Sequence, residues 1–244
     1  MGTQSRADRA GAAPDPRRNA LLARLPADEY ERVTARLALF TPQIRYQVYR
    51  QEGPLDHVYF PLDAVFSLVT TTGDGTVEVA TIGNEGILGL PAYLGSASSP
   101  DDVFCQIPGR ALSMPITDLR QLLTGGDVCW LLRLHTQATF IQMSQNIACN
   151  QLHSAAQRAA RWLLMTHDRA AADEFTLTHE FLAQMLGVRR ATVTDTAGHL
   201  RARGLIDYRR GRITILSRAA LESAACECYR RVRDKTEQLL GARR

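Results

Sequence analysis

The sequence predicts an α+β protein made of an antiparallel β-roll, one long helix and a C-terminal winged helix-turn-helix. Short β-prone runs punctuated by turns fill Ile44 to Met114, and a strict 3,4 apolar repeat follows Gly125-Gly126. Downstream, Gly187 sits in helix-turn-helix spacing ahead of a hairpin tipped with arginines.

Residues 1–19 are rich in Ala, Arg, Asp and Pro without periodicity, which predicts a mobile tail and structure beginning near Asn19. No apolar stretch follows Arg6, Arg9, Arg17 and Arg18, so a secretion signal is not predicted and the expected compartment is the cytoplasm. Short helices broken at Pro26 are predicted over 21–39. Strands are then predicted at Val58–Phe60, Val65–Thr72, Val77–Ile82, Val103–Ile107 and Ala111–Met114, with Gly73-Asp74-Gly75 as a hairpin turn. Together, residues 20–126 read as one β-roll domain.

Residues 127–153 read as a single helix. Leu131, Leu134, Ala138, Ile141, Gln145, Ala148 and Leu152 recur in steps of 3, 4, 3, 4, 3 and 4. Such a stripe needs an apolar partner. It could pack on its own roll, but a repeat this strict favours parallel pairing with a second copy, Gln145 being the polar member that sets register.

At 244 residues, 45% apolar and 22% charged, the chain has the makeup of two globular domains. No apolar run approaches the roughly 20 residues of a membrane span. Of its 29 basic residues only Lys235 is a lysine, and Asp234 precedes it, so no Walker A loop can be written and ATP-driven chemistry is not expected. Residues 1–150 carry 12 basic against 15 acidic residues, whereas 151–244 carry 17 against 10, which points to a polyanionic partner for the C-terminal part.

Cys105, Cys129, Cys149, Cys226 and Cys228 contain no C-x-x-C pair and no clustered partner histidine, so idle thiols are expected, with no metal and no cofactor. Cys226 and Cys228, two apart, would point to different faces of a helix. His57, His135, His153, His167, His179 and His199 are scattered and suggest no haem ligand. An enzyme on a cupin-like roll would want clustered His and carboxylates, so catalysis is not expected.

Residues 154–244 read as the winged domain. Thr178 can cap a helix whose inward positions are Leu182, Ala183 and Leu186; Gly187 supplies the turn, Val188 plugs it, and a second helix from Arg190 turns Val193 and Leu200 inward. Thr196 stands where an aliphatic residue is usual, its methyl able to pack. Next, Gly204 to Tyr208 and Arg212 to Ile215 form a hairpin whose Arg209, Arg210 and Arg212 suit phosphate oxygens. Arg189, Arg190, Thr192, Thr194 and Asp195 face outward and would meet base edges, and Thr178 is counted with this DNA-facing set. A scaffold module whose helix-turn-helix serves protein contacts is the alternative from another class.

Leu177-Thr178, Gly187-Val188-Arg189-Arg190-Ala191-Thr192-Val193, Gly204-Leu205-Ile206 and the wing closely resemble the DNA-binding end of the Crp/Fnr regulators. Gly83-Asn84-Glu85-Gly86-Ile87-Leu88-Gly89-Leu90, the long helix and Arg161-Trp162-Leu163-Leu164 resemble that family's cyclic-nucleotide-binding-like roll, dimer helix and connecting helix. The resemblance implies a cytoplasmic homodimer on a near-palindromic operator, with RNA polymerase as a further partner and the roll as effector domain. There are departures. Ala191 and Asp195 replace the Glu and second Arg of the best-known recognition helices, and Ile87 replaces the glutamate that takes the ribose in cyclic-nucleotide binders. No Lys or Arg occurs from residue 51 to 109 against eight acidic residues, so a cyclic phosphate would depend on backbone N–H groups or on Arg133, and cyclic-nucleotide response is the alternative. The family's iron–sulfur branch needs N-terminal cysteines, and the first here is Cys105. The effector stays unassigned.

Overall fold

The computed structural model describes residues 14–73, 75–170 and 172–241. Two 3-10 turns, Pro16–Arg18 and Leu22–Arg24, lead into helix α1 (Ala27–Thr34). The tail expected to reach residue 19 is therefore ordered from Pro14 on, and its remainder lies outside the described residues. Asn19 is the reason. Its buried side-chain amide donates to the Pro61 and Gly86 carbonyls (3.0 and 2.8 Å), and its oxygen accepts from the Leu21 and Leu22 N–H groups.

Seven strands form the roll: β1 (Ala38–Phe40), β2 (Gln47–Tyr49), β3 (His57–Pro61), β4 (Val65–Thr72), β5 (Gly75–Ile82), β6 (Asp102–Ile107) and β7 (Ala111–Pro115). They make two antiparallel sheets, β1-β7-β3 and β2-β6-β4-β5. Val58, Phe60, Phe66, Ile82, Val103, Leu112 and Met114 close the core between them, each worth about 1.5–3 kcal/mol when buried. The five expected strands are present. The three-residue β1 and β2 were not expected, because half-exposed Leu39 and Gln47 blur their alternation.

Helices α2 (Leu90–Tyr93) and α3 (Ile116–Leu122) precede the 27-residue α4 (Gly126–Leu152). The Glu29 carboxylate accepts from the Asp127 and Val128 N–H groups (3.0 and 2.8 Å), capping α4 from outside. After an elbow at His153 come α5 (Ala155–Ala170), β8 (Glu174–Thr176), α6 (His179–Leu186), α7 (Arg190–Ala202), β9 (Ile206–Arg209), β10 (Arg212–Ile215), α8 (Arg218–Ala224) and α9 (Cys228–Gly241).

Helix α9 bears on two expectations. Although it falls within the 154–244 domain, it leaves the winged fold and runs antiparallel along α4: Gln145 Nε2 reaches Cys228 Sγ at 3.0 Å at one end, and Arg24 Nε donates to the Leu240 carbonyl at 2.6 Å at the other. The expected stripe is thereby partly covered within the single chain. Leu131, Leu134 and Ala138 are buried, Leu131 and Leu134 in one core with Leu240; Ile141, Gln145 and Ala148 are half-buried, and only Leu152 is exposed. A second apolar row, Thr136, Phe140, Met143 and Ile147, keeps the same 4, 3, 4 rhythm, and there Phe140 is 63% and Ile147 69% exposed. Periodicity finds a face that needs cover without saying which element covers it.

The winged domain docks on the roll through one continuous core. Phe181 of α6 meets the rings of Phe104 on β6 and Trp162 on α5, with centroids 5.8 and 6.3 Å apart. Polar groups cross the same seam: Ser67 Oγ donates to Gln106 Oε1, Gln106 Nε2 donates to Thr166 Oγ1 (both 2.8 Å), and Trp162 Nε1 donates to Glu78 Oε1 at 2.9 Å. Burial pushes the Glu78 carboxyl up to about 7, against the pull of hydrogen bonds and of Arg169. A carboxyl raised above its unfolded value keeps its full stability contribution below the unfolded pKa and loses it as pH rises towards 7. Glu78→Gln is therefore expected to flatten the decline in unfolding free energy between about pH 5 and 8 and to gain up to about 3 kcal/mol at the upper end. Denaturant melts of both proteins across that range check this; parallel curves would contradict it.

Candidate nucleic-acid interface

Thr178 Oγ1 accepts from the Phe181 N–H (3.1 Å), starting α6. Gly187, with φ of 61°, takes the left-handed conformation that ends it, and the Val188 N–H closes back on the Ala183 carbonyl. Helix α7 then turns Val193, Thr196, Ala197 and Leu200 into the core. Thr196 is buried at 9% exposure, so its methyl does substitute for the usual aliphatic group.

The opposite face of α7 is open. Arg189, Arg190, Thr194 and Asp195 are exposed and Thr192 half-buried, while Arg189, the N-cap, leaves the first N–H groups of the helix without a side-chain cap. Thr194 Oγ1 donates to the Arg190 carbonyl (3.1 Å) and sits 3.0 Å from His179 Nδ1, so it is partly committed to its own helix. The imidazole of His179, stacked on Tyr208 with centroids 4.3 Å apart, is held below its usual pKa by burial and then by Arg190, favouring the uncharged ring. Sequence reasoning missed His179, and its position one residue after a helix cap was the available signal.

Strands β8, β10 and β9 form the wing sheet in that order. Arg210 (φ 50°) and Gly211 (φ 77°) make the two-residue turn, with both positive angles of a type I′ hairpin. Arg209 pairs with Asp207 at 2.8 Å and Arg212 with Glu174 at 2.7 Å; Arg189, Arg190 and Arg210 have no carboxylate partner among the described residues. The nine expected residues thus form one surface, α7 and the wing, with Thr178 at its root. Thr178 is occupied as a cap.

A separate cavity of about 200 Å³ lies between the roll and α4. Leu68, Ile82, Leu88 and Val103 line it from the roll, and Thr136 and Phe140 from the helix. Among the described residues no Lys or Arg lines it, Arg133 included, and its charged member is the acidic Asp101. Ile87 is wholly buried. A cyclic phosphate would find no cation here, so these residues do not fit that ligand.

The fold gathers residues that the sequence reading took as scattered, idle thiols. Cys149, His153, Cys226 and Cys228 bring their ligand atoms within 4.8 Å of one another. The missed signal was Cys149-x-x-x-His153, one helical turn apart, beside Cys226-x-Cys228 at the start of another helix.

Thr178→Ala is expected to lower unfolding free energy by about 1 kcal/mol, the usual loss for an N-cap. Operator preference of the variant should be unchanged. Denaturant titration and a binding-site selection check the two parts separately.

Comparison with known proteins adds the following. Residues 46–125 match the cyclic nucleotide-binding domain and residues 157–224 the Crp-like helix-turn-helix domain. No curated protein sequence matches the chain. Among solved structures, FixK2 from Bradyrhizobium japonicum is similar at 17% identity and a TM-score of 0.66, covering 78% of this chain and 98% of its own. The c-di-GMP-responsive global regulator CLP of Xanthomonas campestris is similar at 14% identity and a TM-score of 0.64, over 79% of this chain and 100% of its own. A Crp/Fnr-family transcriptional regulator from Thermus thermophilus is similar at 20% identity and a TM-score of 0.62, over 78% and 97%. At these identities the likeness concerns the fold.

Proposed function

We propose that this chain, in which a match to the cyclic nucleotide-binding domain is followed by a match to the Crp-like helix-turn-helix domain, is a Crp/Fnr-like transcriptional regulator that binds a near-palindromic operator as a homodimer, without enzymatic activity. The carrying observation is the exposed face of α7, where Arg189 and Arg190 stand without carboxylate partners beside an uncapped helix N-terminus. Guanidinium groups placed there can grip the O6 and N7 of guanine, and the free N–H groups suit a phosphate. Arg210 at the wing tip supplies a backbone contact; Arg209 and Arg212 would exchange Asp207 and Glu174 for phosphate. The structure holds no helix long and apolar enough to cross a membrane among the described residues, which agrees with a cytoplasmic protein. RNA polymerase is the expected further partner.

Dimerisation is assigned to the uncovered row of α4, Thr136, Phe140, Met143 and Ile147, in place of the stripe that α9 covers. Two large side chains more than half exposed on one helix face are costly for a monomer, and a parallel second copy of the row would bury them. Half-sites one turn of DNA apart would require that pairing to set the recognition helices about 34–36 Å from one another. It would also close the cavity from the open side, because Thr136, Phe140 and Met143 belong to both the cavity and the row. The effector is then a small, largely apolar molecule that presses on the dimer helix.

Arg190→Ala is expected to cost about 1–3 kcal/mol on the operator and to relax preference at one base pair. Arg210→Ala should weaken all sequences alike and reduce the salt slope by roughly 1. Binding-site selection and salt titrations by fluorescence anisotropy separate these; salt-independent binding would favour a protein-contact module instead. Ile147→Lys should yield monomers that keep a folded roll and lose operator binding, whereas Gln145→Ala should stay dimeric. Analytical ultracentrifugation decides, and a dimeric Ile147→Lys protein would remove the assignment of the row.

A further inference from the structure

From the elbow between α4 and α5 we infer a structural metal site of the zinc class, with Cys149, His153, Cys226 and Cys228 as its four ligands. Cys149 Sγ lies 3.5 Å from Cys226 Sγ, and Cys228 Sγ lies 3.5 Å from His153 Nδ1. A tetrahedral ion with Zn–S near 2.3 Å and Zn–N near 2.0 Å has edges of about 3.8 Å between sulfurs and about 3.5 Å from sulfur to nitrogen. All four ligand atoms already lie within 4.8 Å of one another, so side-chain shifts of about an ångström or less complete the polyhedron.

The surroundings have the features of a metal site. His153 turns Nδ1 towards the sulfurs and keeps Nε2 3.3 Å from Glu227 Oε1, the carboxylate–histidine arrangement that fixes ring orientation behind a metal. Gln145 Nε2 points at Cys228 Sγ from 3.0 Å, as an amide does towards a coordinated thiolate. Three cysteines are buried, and half-buried His153 with exposed Glu227 forms the rim through which an ion enters. Soft sulfur ligands with one imidazole select zinc-like ions over magnesium or calcium. An iron–sulfur cluster would need the thiolates spread over separate irons, further apart than these. Binding releases three thiol protons to solvent, and nothing is oxidised or reduced.

The ion would join the end of α4 to the start of α9, across the elbow where the winged domain begins. It is thus a staple for the pose of that domain. Neither matched family domain reaches Cys226 or Cys228, since the helix-turn-helix match ends at residue 224.

The test uses the full-length protein, stripped by chelator under reducing, oxygen-free conditions and titrated with Co²⁺. One equivalent is expected to give the visible absorption of tetrahedral Co²⁺ together with thiolate charge-transfer bands, which Zn²⁺ then abolishes. Zinc should also raise Tm over the stripped protein. His153→Gln, altered only at the rim, should fold normally by circular dichroism and give a changed Co²⁺ spectrum of weakened affinity. Cys149→Ser with Cys226→Ser should lose the charge-transfer bands. Absence of bands in the native protein, or the same spectrum in His153→Gln, would overturn the assignment. The readout needs no DNA, so its failure is distinguishable from failure of the regulatory reading.

Discussion

Helix α4 carries more apolar surface than any single neighbour covers, and the molecule is arranged around that surplus. One face is closed by the roll at Leu131 and Leu132, with the Ile87 N–H donating to His135 Nε2 at 3.2 Å. A second face is closed by α9. A third, with Phe140 and Ile147 at its centre, has no cover within the chain. An apolar row left open on a helix that is otherwise packed is a surface a second copy could cover, and the proposed pairing rests on it.

Charge is separated along the same axis. The roll has no Lys or Arg between residues 51 and 109, whereas the winged domain exposes Arg189, Arg190 and Arg210. An acidic roll would repel a phosphate backbone, which agrees with the basic face as the proposed DNA-facing surface. Docking α6 on the roll through Phe181 occupies the winged domain's back while its recognition face points outward.

Cavity, seam and cysteine cluster all meet α4 or the elbow at its end. The cavity shares Thr136 and Phe140 with the free row; Glu78 lies where β5 meets α5; Cys149 and His153 close α4 itself. All three therefore lie on the path between the roll and the winged domain. Buried Glu78, with one oxygen unpartnered, makes the seam weaker than an apolar one of equal area. A seam of that kind can be displaced by a modest binding energy.

The sequence alone determined the strands, the long helix and the winged domain, because alternation, 3,4 repeats and a glycine between apolar neighbours are local patterns with local causes. Its outward set on α7 lies on the exposed or half-buried side of the helix, since a helix with a fixed inward face has a fixed outward one. Only the tertiary structure decided which α4 row is free, because the covering helix lies far downstream, beyond the whole winged fold, and periodicity carries no partner's name. It likewise showed Asn19 as an anchor, whereas the cap at Thr178 was already legible in the sequence. The cysteines illustrate the limit most clearly: spacing placed Cys226 and Cys228 on different helical faces, but Cys226 precedes α9, and the chain there lets both thiols reach Cys149 and His153 from across the fold.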